Sequence, residues 1–76
     1  MIYQVEVGRE SDGRWLADVV EFPGVTTYGS TADEAFNAAV ALALRVIAER
    51  IEHGEDVPGI TASGCQPLDL HFARAA

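Results

Sequence analysis

The chain has 76 residues, 49% of them apolar, with one cysteine and twelve acids against five arginines and no lysine, giving a formal charge of −7. So short a chain forms one domain with a thin core, burying roughly 60% of the surface its unfolded form exposes, and one cysteine leaves no internal disulfide to compensate. The charge argues against nucleic acid as a direct partner, because a run of phosphates needs clustered cations; a field of this sign attracts basic proteins instead.

Nearly half the residues are apolar, which is high for a small monomer. A homodimer or higher homo-oligomer is the expected remedy, since apolar area buried between subunits stabilises at about 25 cal/mol per Å². No basic segment followed by an apolar one opens the sequence, as a signal peptide would. The longest apolar run, 38–44, is too short to span a bilayer. A lone Cys65 fits a reducing compartment. These features predict a cytoplasmic protein with no membrane partner.

From Met1 to Val7 the residues alternate, with Tyr3, Val5 and Val7 on one side and Ile2, Gln4 and Glu6 on the other. Period two with these residue types predicts a strand. Ser11-Asp12-Gly13 is a turn signal, and Asp-Gly suits the positive φ of a hairpin. Trp15, Ala17 and Val19 then alternate with Leu16, Asp18 and Val20, a second strand with apolar residues on both faces and therefore a central one. Phe22-Pro23-Gly24 is a turn, because Pro23 cannot donate to a ladder. Val25 to Tyr28, rich in β-branched residues, predicts a third short strand closed by Gly29. Gly13, Gly24 and Gly29 all read as turn glycines.

Thr31 is the expected helix N-cap, with Glu34 three residues on completing a capping box. Asp33 and Glu34 suit the positive end of the helix dipole. The helix is predicted to run to about Glu52, with Phe36, Val40, Ala43, Ile47 and Ile51 as the stripe facing the sheet. Leu44 and Val46 widen that stripe. Leu42 lies off it, where it would cover a loop or meet another subunit. Gly54 is placed to stop the helix. Residues 55–64 read as a loop, and Leu68, Leu70 and Phe72 alternate with Asp69, His71 and Ala73 in a fourth strand. The fold expected is α+β in the order β-β-β-α-β. It has a three-stranded antiparallel meander, one long helix on one face, and a last strand that returns to an edge.

Chemistry is sparse. Paired carboxylates can do acid–base or metal work, yet the spacing of Asp12, Asp18 and Glu21 forces no convergence, and a solvated acidic surface is the simpler reading. His53, Cys65 and His71 lack the short paired spacing of a zinc site. His53 suits a helix C-terminus by charge and dipole. The glycines form neither a phosphate loop nor a dinucleotide fingerprint. The hydroxyls of Ser11, Thr26, Thr27 and Ser30 have no histidine close in sequence to make a triad. Trp15 and Tyr28 could stack a base, but in a chain of this charge they read as core or interface aromatics. No cofactor and no catalytic residue is expected.

The run from Asp12 to Ala39, D-G-R-W-L-A-D-V-V-E-F-P-G-V-T-T-Y-G-S-T-A-D-E-A-F-N-A-A, resembles the HicB family of antitoxins from bacterial toxin–antitoxin systems. The family's Y-x-V-x-V opening matches Tyr3, Val5 and Val7. Its D-G-x-aromatic-x-A hairpin matches Asp12, Gly13, Trp15 and Ala17. The link P-E-(L/F)-P-G-V matches Glu21, Phe22, Pro23, Gly24 and Val25, with Val20 in place of the first proline. T-x-G-x-T-x-x-E-A matches Thr27, Gly29, Thr31, Glu34 and Ala35. The likeness covers about the first 55 residues.

The resemblance implies a partial ribonuclease H-like fold without nuclease activity. It also implies a partner: a small basic HicA-like toxin that cuts messenger RNA and is neutralised when its active site is covered. The family's usual C-terminal DNA-binding domain has no counterpart before Ala76, so direct repression of a promoter is not expected. Glu10, Asp12, Asp18 and Glu21 are the acids expected to face the toxin. The alternatives are an orphan oligomeric adaptor, and a metal-dependent nuclease using Asp18 and its neighbours.

Overall fold

The structure, a computed structural model, describes residues 1–60 and 69–75. Its elements are β1 (Ile2–Arg9), β2 (Trp15–Val19), β3 (Thr26–Gly29), α1 (Ala32–Glu52) and β4 (His71–Arg74). They form a four-stranded sheet in the order β3-β2-β1-β4, with one helix packed on it. β1 pairs antiparallel with β2, and β2 with β3. β4 lies parallel to β1 at the edge. The α+β meander and the edge position of the last strand are as the sequence pattern implies. Leu68 and Cys65 lie outside the described residues, and β4 begins at His71 rather than in the late sixties.

Local chemistry sets the junctions. Gly13 in the β1–β2 hairpin has φ +92°, which favours a residue without a Cβ. Phe22 to Val25 is a type II turn: the Val25 N–H donates to the Phe22 carbonyl at 3.0 Å, with Pro23 at the second position and Gly24 at φ +92° in the third. At the start of α1, the Thr31 hydroxyl accepts from the Glu34 N–H at 3.1 Å. A reciprocal bond from the Glu34 carboxylate is not found among the described residues. At the other end Gly54 is left-handed, at φ +70°. The Glu55 N–H reaches the Arg50 carbonyl at 2.8 Å, and the Gly54 N–H reaches that of Ile51 at 3.1 Å. This pair of bonds is the Schellman stop, which satisfies carbonyls that the helix leaves free.

The helix is turned relative to the phase that its large residues predict. Its buried residues are Ala35, Ala39, Ala43 and Ile47. Of the expected stripe, Phe36 and Val40 are only half-buried, and Ile51 is 41% exposed. Leu44, expected to widen the stripe, is exposed, whereas Leu42 and Val46 pack against the core. The physical reason is proximity. A Cβ on Gly29 would lie 2.6 Å from the Ala35 backbone nitrogen and 2.8 Å from the Glu34 Cβ. The end of β3 and the first turn of α1 are therefore in backbone contact, and only small side chains fit the seam that continues from it. Gly29 has no positive φ; its role is close approach rather than a turn.

Tyr3 is the largest fully buried side chain. Its ring meets Phe22 at 5.3 Å and Phe72 at 5.2 Å between centroids, tilted in both cases, within the range where aromatic pairs attract. Its hydroxyl donates to the Pro58 carbonyl at 2.7 Å. Burial pushes the phenol's pKa up, and the nearby Glu21 charge adds to that. The segment after the helix, expected to be a plain loop, contributes Val57 and Ile60 to the core. Arg50 covers the far side, with its guanidinium 5.5 Å from the Phe22 ring centroid.

Gly29→Ala should destabilise the protein by about 1–3 kcal/mol, because backbone must move to admit the methyl group. Gly8→Ala, whose Cβ would meet nothing within 4 Å, should stay within about 0.5 kcal/mol, as a surface change does. Urea titration of both variants checks this; equal effects would remove the seam as an explanation.

Candidate functional site

The helix covers the sheet face carrying Tyr3, Val5, Ala17 and Val19, all buried. The other face carries the alternate residues. The strand registers arrange them in rows: Gln4 beside Ala73; Glu6, Asp18 and Thr26; then Gly8, Leu16 and Tyr28. This face keeps apolar surface in the open, with Ile2 56%, Val20 51% and Tyr28 49% exposed. No described element of the chain covers it.

Its middle row is acidic. Glu6 and Asp18 are directly opposed in the β1–β2 register, which sets their Cβ atoms about 4.5–5.5 Å apart on one face. The Thr26 hydroxyl donates to an Asp18 oxygen from the next strand, fixing that carboxylate's direction. Like charges directly opposite one another disfavour the fold by a modest amount. A cation placed over the row would turn that repulsion into attraction.

The four acids expected at the partner surface are not gathered in one place. Asp18 is at the centre of the open face. Glu21 is bent inward, where both its oxygens accept from the Gln4 backbone N–H at 3.0 and 3.3 Å. It satisfies a ladder donor that β2 is too short to reach, just past the bond from the Val20 N–H to the Gln4 carbonyl. Glu10 and Asp12 sit at the hairpin tip. Glu10 is half-buried, and its backbone is tied to Gly13 and Arg14. Asp12 accepts from the Arg14 backbone N–H at 3.1 Å and pairs with the Arg14 guanidinium at 2.8 Å. That backbone hydrogen bond, first, and then the guanidinium lower the pKa of the Asp12 carboxyl. Arg14 also lies 4.6 Å from the Tyr28 ring centroid, so the tip is charge-balanced rather than simply acidic.

The residue that sequence reasoning passed over is Glu6. The signal was present: Gly8 opposite Leu16 and Arg9 opposite Trp15 are where a five-residue tip places them, and counting back two residues from Gly8 brings Glu6 to Asp18. The pairing holds no nucleophile–base set beyond the Thr26–Asp18 bond, which is an ordinary cross-strand contact. His71 is paired with Asp69 at 2.8 Å at the far edge, and His53 closes on the Glu49 carbonyl at the helix end. Among the described residues no three His, Cys, Asp or Glu side chains are grouped to hold a metal ion, and no helix is long and apolar enough to cross a membrane.

Comparison of the chain with protein-family models, curated proteins and solved structures gave no match.

If Glu6 and Asp18 repel as their register implies, Glu6→Gln should stabilise the protein by about 0.2–0.5 kcal/mol, and added salt should narrow the gap by screening the repulsion in the unmodified chain. Thermal melts at two ionic strengths measure both effects. A destabilised variant would show that the two carboxylates do not oppose each other.

Proposed function

We propose that the chain is an antitoxin-type binding module that neutralises a small basic HicA-like toxin by covering the site where that toxin cuts messenger RNA. The observation that carries this reading is the open sheet face, where the Glu6–Asp18 row stands among exposed Ile2, Val20 and Tyr28 in a chain of charge −7. An RNA-cutting protein must present cations to phosphates. Opposed carboxylates on a rigid sheet offer those same cations a competing partner. The apolar side chains around the row lose water on contact and add affinity that salt does not screen. The resemblance of about the first 55 residues to HicB antitoxins points the same way. Inhibition in this scheme needs no catalysis: a face that occupies the cationic surface denies it to RNA. Long-range attraction between an acidic and a basic protein speeds their encounter.

The test is to look for a short basic reading frame beside this chain's gene and to co-express the chain with it. The expected result is growth restored from toxin arrest and a complex that co-purifies. The double substitution Glu6→Gln with Asp18→Asn should slow association about tenfold at low salt, with the difference shrinking as salt rises. The absence of such a neighbour, or a toxin that is neither bound nor neutralised, would contradict the proposal.

A further inference from the structure

The helix carries a second apolar strip, on the side that does not meet the sheet. Leu44 is 43% and Ile51 41% exposed, Ala48 is exposed, and Ala41 is half-exposed. At 3.6 residues per turn, Ala41 and Ala48 form a seam opposite the buried alanines. Leu44 and Ile51 flank that seam on one side, and Arg45 and Glu52 on the other.

The arginines point to what covers this strip. Arg9 lies 5.8 Å from the Trp15 ring centroid, Arg14 pairs with Asp12, Arg50 stacks over Phe22, and Arg74 approaches Asp33 at 3.8 Å. Arg45 alone has neither a carboxylate nor a ring partner among the described residues. It does not pair even with Glu49, one turn away on the same helix.

We propose that this outer helix face binds a second copy of the chain, with the two helices antiparallel about a two-fold axis near Ala48. Such an axis reverses direction along the helix while keeping each flank of the seam against the same flank of the partner. Residues three before and four after Ala48, Arg45 and Glu52, then meet crosswise, giving two intermolecular ion pairs. Leu44 and Ile51, four before and three after, meet crosswise on the other flank. Each crosswise pair differs in height by one residue, about 1.5 Å, which the side chains span. Alanine at the crossing lets the axes approach to about 8 Å, the near end of the usual range.

The charge pattern selects this occupant. The strip is self-complementary, whereas two copies of the open sheet face would bring four carboxylates together. The contact is one helix wide, below the area of a standard stable interface, so a weak dimer is expected, with Kd between about 10 μM and 1 mM. This proposal does not rest on the antitoxin reading, because it uses the opposite side of the molecule and needs no toxin.

Sedimentation equilibrium of the full chain tests it, with circular dichroism confirming that each variant is folded. The unmodified protein should show a monomer–dimer equilibrium below about 1 mM. Arg45→Glu and Glu52→Arg should each weaken it at least about tenfold, since each replaces attraction with repulsion at both ends of the pair. The double variant, carrying both reversals, should return to within about threefold of the unmodified constant, because the swapped charges meet crosswise again. A chain that stays monomeric over that range, single reversals without effect, or a double variant as weak as the singles would each overturn the proposal.

Discussion

The helix lies on the sheet through a row of alanines, Ala35, Ala39 and Ala43, and touches the end of β3 where Gly29 leaves no room for a Cβ. That close seam sets the phase of the helix. With small residues inward, the larger apolar ones are displaced to the flanks. Phe36, Leu42 and Val46 pack against the edges of the core, while Leu44 and Ile51 stay in the open. The same contact makes the core thin, and its centre passes to Tyr3, Phe22 and Phe72, grouped under the helix's C-terminal half beside Arg50.

One helix covers one face. Among the described residues nothing covers the other face of the sheet, which is lined by the residues that alternate outward. Two outward surfaces of different character result. The sheet face is acidic at its middle and apolar around it. The helix face is apolar along a seam, with both signs of charge beside it. As proposed, the first receives a basic partner and the second a copy of the chain, on opposite sides of the molecule.

Much of the fold could be read along the chain because its signals are local. Alternation marked the strands, Pro23 with Gly24 marked the turn, and Thr31 and Gly54 marked the helix ends. The helix phase was not legible, because alanine has no pattern of its own and the large residues outvote it. The core role of Val57 and Ile60 was hidden by the polar and glycine-rich residues around them; the phenol of Tyr3, bonded to Pro58 from far along the chain, helps tie that segment down. The parallel pairing of β4 with β1 is a contact between the two ends of the chain, which no local pattern encodes. At the candidate site, Asp18 was legible as an outward acid. Its opposition to Glu6 depends on the hairpin register, and the inward bend of Glu21 depends on a ladder donor left free by the end of β2.

In the proposed complex the open sheet face, and not the hairpin tip or the helix, receives the basic partner. Backbone amide NMR of this small chain, titrated with a small basic HicA-like toxin, is the direct test. Shift changes are expected to centre on Glu6, Leu16, Asp18 and Tyr28, with Leu44, Ala48 and Ile51 unchanged at concentrations where the chain is monomeric. Changes centred on the helix face, with the Glu6–Asp18 row unmoved, would contradict it.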